Sequence, residues 1–368
     1  MNILLVNYHE ISKLPPVRNL VETLLHNGHN VELISFDELQ IYHSDNRLQR
    51  VILKEEKNPV KKSMLFLNRR KALCRLVQNK MMNKDLIWTT TDRTARELKS
   101  ILPNYKHVMQ LMELREDMPE FPGQKIVKAH LDNIARSAWK VVVPEYNRAH
   151  ILSAWWSLDK LPKILPNKPF DDQCRFQKCP DDIEKILESL QNEKKKIILY
   201  QGILTDERRL EEIAMACEEL DDYCFCIMGA LDASCYTMYK KYKSVKLIPF
   251  IKPPYHLKIT EVAYMGILSY SPRNNPNSSI LNAVYCAPNK IFEYAGAGLP
   301  MIGNELPGLE KPFNDFNIGI CCQWDVKKIK EAIRYIEENH EIMRDNCLSF
   351  YKGIDLPSIV EGILCDAE

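Results

Sequence analysis

Residues 2–35 read NILLVNYHEISKLPPVRNLVETLLHNGHNVELIS. The apolar run at 2–7 has the length of a strand, Lys13, Pro15 and Pro16 mark a loop, and the spacing from Arg18 to Asn27 is helical. Gly28 stops that helix, and VELIS supplies a second strand. This is a β-α-β unit. The runs DLIWTT (85–90), KHVMQLME (106–113) and KVVVP (140–144) alternate with helix-compatible segments, which predicts a parallel sheet with crossover helices.

Between Leu161 and Lys196 the pattern changes. Pro162, Pro166, Pro169 and Pro180 punctuate polar sequence, and no strand-like run occurs. The rhythm then resumes with KIILYQG (196–202), a helix over Glu207 to Leu220, YCFCIMG (223–229), SVKLIPF (244–250), MGILSY (265–270), LPMIGN (299–304) and GICC (319–322). The expected architecture is α/β, with two Rossmann-like domains facing a central cleft: residues 1–167, a linker at 168–195, and residues 196–345. The stretch 346–368 is expected to be a helix packing back on the first domain.

Of 368 residues, 45% are hydrophobic and 27% charged, which fits a globular chain and excludes disorder. Fifty Lys and Arg against 49 Asp and Glu leave no global basic field, so nucleic acid is not expected as a partner. No apolar run approaches the roughly 18 residues of a membrane span, and no secretion signal opens the chain. A cytoplasmic location follows as an expectation. Twelve cysteines without a C-x-x-C pair are expected to be reduced thiols in the core.

Standard cofactor and metal motifs do not fit. Gly296-Ala297-Gly298 lacks the third glycine of a dinucleotide loop, because Met301 takes its place. Gly303 to Gly308 has phosphate-loop spacing, but Leu309-Glu310 follows where Lys-Ser/Thr is required. His9-Glu10 has no second His at metalloprotease spacing, and no D-x-D occurs. Neither a cofactor nor a metal is expected.

The stretch that carries chemistry is APNKIFEYAGAGLP at 287–300. Asn289 after Pro288 reads as an N-cap, so a helix is predicted to start near Lys290 with its free N–H groups available to an anion. Glu293 lies one turn on, on the same face. On helix chemistry, Lys290 and Glu293 are either a surface i,i+3 pair or the cation and carboxylate of a nucleotide site, where the carboxylate would accept both ribose hydroxyls.

The run P-N-K-I-F-E-Y-A-G-A-G-L-P at 288–300, with the loop Leu306-Pro307-Gly308-Leu309, resembles nucleotide-sugar-dependent glycosyltransferases of the GT-B fold, in particular family 4 (group 1). Tyr200-Gln201-Gly202 followed by Glu207-Arg208-Arg209-Leu210-Glu211 is similar to another segment of that family. Pro16-Val17-Arg18, Gly28-His29-Asn30-Val31, Val143-Pro144-Glu145 with Arg148-Ala149, and Leu165-Pro166-Asn167 resemble its acceptor domain.

The resemblance implies a nucleotide sugar, uridine-linked, as substrate and a glycan or lipid-linked acceptor hydroxyl. It also implies metal-independent, retaining transfer. Glu293 would hold the ribose, Arg208 and Lys290 the diphosphate, with Gly202 and Asn289 beside the donor. The family often carries a second Glu eight residues earlier, where this chain has Tyr285; Asn282 or Ser279 is a candidate substitute for that contact.

In the acceptor domain Glu113 is the candidate for contacting the transferred sugar or acceptor, with a plain Glu113–Arg115 pair as the alternative. His9 and Arg18 are candidates for the acceptor side, and His130 reads as structural. A non-catalytic GT-B partner subunit and a nucleotide-sugar 2-epimerase remain as alternatives. Residues 61–84 hold eight Lys or Arg and no acid, interleaved with apolar residues. That pattern suits either peripheral contact with an anionic membrane or a core helix with a solvated basic face.

Overall fold

The computed structural model describes residues 1–39, 45–54, 58, 65–121, 123–170, 179–204, 208, 210–230, 233–272 and 279–365. They divide into two units. The first comprises Met1–Phe170, the segment ending at Asn282 and the chain from Asp355; the second comprises the rest up to Ile354.

The first unit is built on a parallel sheet of β1 (Asn2–Val6), β2 (Asn30–Ser35), β3 (Leu48–Ile52), β4 (Leu86–Thr90), β5 (His107–Gln110), β6 (Lys140–Val143) and β7 (Lys163–Ile164), in the order β3-β2-β1-β4-β5-β6-β7. Its central strands are buried along nearly their whole length, as a sheet covered by helices on both faces requires. β3 and β7 have no counterpart among the strand-like runs. β3 is a half-exposed edge strand, LQRVI, and β7 has two residues.

The second unit holds β8 (Lys196–Gln201), β9 (Tyr223–Met228), β10 (Val245–Ile248), β11 (Met265–Leu268), β12 (Met301–Asn304) and β13 (Gly319–Cys322), in the order β10-β9-β8-β11-β12-β13, again parallel. The strand order reverses between β1 and β4 in the first sheet and between β8 and β11 in the second. Crevices outside the carboxyl ends of strands at such points are where α/β sheets bind ligands.

Three expectations need correction. Part of the stretch taken as a linker is helix Asp181–Gln191, whose Ile183 and Leu190 enter the core of the second unit. The helix expected from Glu207 spans Glu211–Glu218, after Arg208. The stretch 346–368 is not one helix. His340–Lys352 packs in the second unit, whereas Leu356–Leu364 joins the first, where Leu356, Val360, Ile363 and Leu364 share a core with Leu20 and Leu24. No disulfide joins the described cysteines.

Candidate donor site in the second unit

Helix Asn289–Gly296 begins the site, but its N-cap is Pro288, with extended backbone and no side-chain cap, so Asn289 lies inside the first turn. The Pro288 carbonyl accepts from the Ile291 N–H at 3.3 Å, so the helix starts one residue earlier than the Asn-cap reading places it. The apolar face, Ile291, Phe292, Tyr294 and Ala295, is buried, which leaves Lys290 and Glu293 on the other face.

At the carboxyl end of β8, Gly202 takes φ of +138°, and a Cβ there would lie 3.4 Å from Lys290 Nζ. The Lys290 ammonium sits 4.3 Å from the centre of the Tyr200 ring and 5.5 Å from that of Tyr270. The Arg208 guanidinium lies 3.9 Å over the Tyr270 ring, with Nη1 donating to the Ser269 carbonyl at 3.3 Å. Two cations are thus gathered on the carboxyl ends of β8 and β11, at the reversal in strand order. Burial, and then the Arg208 charge, bring the Lys290 ammonium down to a pKa of about 7. The same burial pushes the Tyr200 hydroxyl up to about 12 and the Tyr270 hydroxyl well above its ordinary value.

Glu293 is held from two sides. Gln201 Nε2 donates to Oε2 at 2.5 Å, and His256 Nε2 lies 3.5 Å from Oε1. Burial pushes this carboxyl up, but His256, Gln201 and Lys290 outweigh it, and the net displacement is downward. An ionised carboxylate with two cations nearby suits a ligand carrying both hydroxyls and phosphate.

Beside Tyr270, at the carboxyl ends of β11, β12 and β13, opens a cavity of about 480 Å³ walled in part by Asn304, Glu305, Gln323 and Trp324. It falls within the roughly 300–1,000 Å³ of small-molecule sites. Among the described residues, no group of three or more His, Cys, Asp or Glu is disposed to hold a metal ion.

The remaining candidates lie elsewhere. The Asn282 amide belongs to the first unit, donating to Glu113 Oε2 at 2.5 Å and accepting from the Leu114 N–H at 2.8 Å. The Asn282 backbone carbonyl accepts from Arg148 Nη2 at 3.1 Å. Glu113 is therefore paired with Asn282, and Arg115 pairs instead with Asp92 at 3.3 Å. Tyr285 precedes the helix, packed with Cys286 against Gly308 so closely that a Cβ on that glycine would come within 2.9 Å of the Tyr285 carbonyl carbon.

His9 follows β1 at the carboxyl edge of the first sheet, and its carbonyl accepts from Asn7. Arg18 pairs with Glu22 at 3.1 Å. His130 is not helical; it caps helix Leu131–Ser137 with φ of +59°. Ser279 accepts from the Leu281 N–H at 3.2 Å through its hydroxyl.

In the basic stretch, residues 61–64 lie outside the described residues. Helix Phe66–Lys80 buries Leu73, Cys74 and Val77. Arg70 is spent on Glu120 at 2.6 Å, and Lys80 and Lys84 on Glu32 at 2.6 and 2.9 Å. Lys71 and Arg75 stay exposed, as do Leu67 and Met82. Among the described residues, no helix is long and apolar enough to cross a membrane.

The sequence reading misses His256, Thr260, Tyr200 and Tyr270 as members of the site. Tyr200 and Gln201 stand inside a quoted motif, but no local pattern marks His256 or Thr260. Apart from this site, in the first unit, no pattern in the sequence marks Thr91, at the carboxyl end of β4. This residue holds φ of +129°, rare for a β-branched residue, while its hydroxyl caps helix Asp92–Leu98.

No family model and no curated protein sequence matches the chain. Among solved structures, HepE of Anabaena, determined with UDP, with UDP and glucose, and with UDP-glucose, is 14% identical, with TM-scores of 0.68 to 0.69 over 99% of this chain and 98% of that one. Sucrose-phosphate synthase from Thermosynechococcus elongatus is 14% identical, with a TM-score of 0.70 over 99% of this chain and 97% of that one. A glycosyltransferase from Rickettsia africae is 14% identical, with a TM-score of 0.66 over the same shares. At this identity the likeness is one of fold, and two parallel sheets of seven and six strands with flanking helices are the GT-B glycosyltransferase architecture.

Proposed function

We propose that the protein is a glycosyltransferase that takes a sugar from a uridine diphosphate sugar and passes it to a hydroxyl of a glycan or lipid-linked acceptor, in polysaccharide or glycoconjugate synthesis. The observation that carries this reading is the grouping of Arg208, Lys290 and Glu293 at the carboxyl ends of β8 and β11. Structures of similar fold that hold UDP and UDP-glucose support the choice of donor, and the family 4 motif supports the finer assignment.

In this reading Glu293 accepts the ribose hydroxyls, and Arg208, Lys290 and the first N–H groups of helix Asn289–Gly296 hold the diphosphate. Breaking the bond between the anomeric carbon and the phosphate oxygen leaves its electron pair on the diphosphate, where the two cations stabilise the new charge without a metal. The acceptor oxygen bonds to the anomeric carbon with retention, and its proton passes to a phosphate oxygen of the donor. The cavity beside Tyr270, with Asn304, Glu305 and Gln323 on its wall, offers hydroxyl-binding groups for the sugar.

The first unit is assigned the acceptor, with Glu113, His9 and Arg18 as its candidate contacts. The protein is placed in the cytoplasm, with Lys71, Arg75, Leu67 and Met82 as the contact with an anionic membrane. The test is a metal-free thermal-shift panel of UDP, GDP, ADP, CMP and UDP-sugars, followed by transfer assays with Lys290→Ala and Glu293→Ala. Selective stabilisation by UDP and loss of turnover in both variants are expected. A flat panel, or intact turnover in the variants, overturns the assignment.

A further inference from the structure

Resting on the donor-site reading, we propose that Gln201, locked by Thr260, is a positioning residue that sets how Glu293 presents its carboxylate and thereby the preference of this site for ribose over 2′-deoxyribose. Gln201 is the last residue of β8 and only 3% exposed. Three hydrogen bonds fix it. Its Nε2 meets Glu293 Oε2 at 2.5 Å, its Oε1 meets Thr260 Oγ1 at 2.7 Å, and its backbone N–H donates to the Tyr294 hydroxyl at 3.1 Å.

The orientation of the amide follows from its neighbours. Ionised Glu293 only accepts, so the NH₂ end of Gln201 must face it, and the amide oxygen is left to take the proton of Thr260. The Tyr294 hydroxyl in turn donates to the Leu199 carbonyl at 3.2 Å, so β8 grips two consecutive residues of helix Asn289–Gly296. With one lone pair of Oε2 committed to Gln201 and His256 Nε2 3.5 Å from Oε1, the carboxylate plane is set. One lone pair on each oxygen remains for two hydroxyls.

A carboxylate free to rotate would serve a single hydroxyl nearly as well as two. One held in plane rewards the ligand that offers both. Thr260 and Gln201 lie 59 residues apart in the chain, and the parallel order of β8 and β11 brings them together.

The test is calorimetric binding of UDP and 2′-deoxy-UDP to the full-length wild type and to Gln201→Leu, Thr260→Val, Glu293→Ala and the Gln201→Leu/Glu293→Ala double variant. Gln201→Leu is expected to cut the ratio of the two affinities by about tenfold, the weight of one hydrogen bond to a charged group. Thr260→Val should move it the same way by less. In the Glu293→Ala background Gln201→Leu should change nothing further.

A merely structural role would weaken both ligands alike and leave the ratio untouched. A wild-type ratio in Gln201→Leu, alongside a collapsed ratio in Glu293→Ala, overturns the positioning role and spares the donor site. An unchanged ratio in Glu293→Ala overturns the ribose contact itself, and the inference with it. If Gln201→Leu fails to fold, Thr260→Val carries the test, and a wild-type ratio there is the overturning result.

Discussion

Lys290 gives the proposed donor site a measurable pH signature. In the free protein its ammonium is half-buried beside the Tyr200 and Tyr270 rings and Arg208, and its pKa comes down to about 7. A bound diphosphate supplies the missing counter-charge and favours the protonated form. If the protonated site is the one that binds tightly, the apparent Kd rises by up to about tenfold per pH unit above pH 7 and levels off below it. Half of the free sites carry the proton at pH 7 and about one in a hundred at pH 9, so UDP affinity should fall about fifty-fold across that interval. The ligand does not blur this window, since a terminal phosphate has a pKa of about 6 and is already ionised.

Calorimetry between pH 6.5 and 9, in buffers of different ionisation enthalpy, should show uptake of close to one proton at pH 8. Lys290→Met should bind weakly with no slope. Arg208→Gln should move the break to higher pH, because the guanidinium is the second cause of the depression. In the free protein the sign is opposite. The unfolded chain keeps this proton to about pH 10.4, so the lysine costs the fold stability below about pH 7, and that cost is relieved as pH climbs from about 7. A wild-type affinity that is flat from pH 7 to 9, or a slope that survives Lys290→Met, would falsify this account of the site.

Gly229→Ala would bring a Cβ to 1.9 Å from the Gly202 carbonyl oxygen, so a loss of roughly 1–3 kcal/mol of stability is expected with a weaker UDP response; an unchanged melting temperature would refute the close approach. His107 is fully buried against Thr89 at 2.8 Å, and burial lowers its pKa to about 3. The unfolded chain takes up this proton below about pH 6.5, so stability should fall by about 2 kcal/mol between pH 6.5 and 5. In His107→Gln, urea denaturation at the two pH values should show that acid sensitivity reduced, and equal sensitivity would remove His107 as its source. For the basic stretch, sedimentation should show binding to vesicles with anionic lipid, weakened in a Lys71→Glu/Arg75→Glu variant; equal binding to neutral vesicles sinks electrostatic docking.

Much of the architecture is legible in the sequence because parallel strands buried on both faces must be continuous apolar runs, as ILLV, LIWTT and YCFCIM are. β3 escapes notice because an edge strand tolerates Gln49 and Arg50 in its middle. The i,i+3 spacing of Lys290 and Glu293 on a short helix after a proline is legible in the sequence, but spacing alone fits a surface pair as well, and Arg208, which lies outside that helix, is singled out only by the family resemblance. The residues that hold Glu293 are not legible. His256 and Thr260 come from a separate helix brought up by strand order, and nothing in PPYHLKIT announces a partner for residue 293. Asn282 reads as a donor contact from its place upstream of that helix, yet its amide is engaged by Glu113 and the Leu114 backbone.

The return of helix Leu356–Leu364 to the first unit makes the order of completion differ from the order of synthesis. Its apolar residues belong to the same core as β1, so the half of the protein made first lacks one wall until residues near 364 have left the ribosome. The second unit, whose residues end at Ile354, can close before that. Leu20 and Leu24, in the same core, lack that part of their cover for most of the chain's synthesis. A chaperone that shields this early core would find its client in the amino-terminal half, and a premature stop after residue 354 would damage the half already made, leaving the half just finished intact.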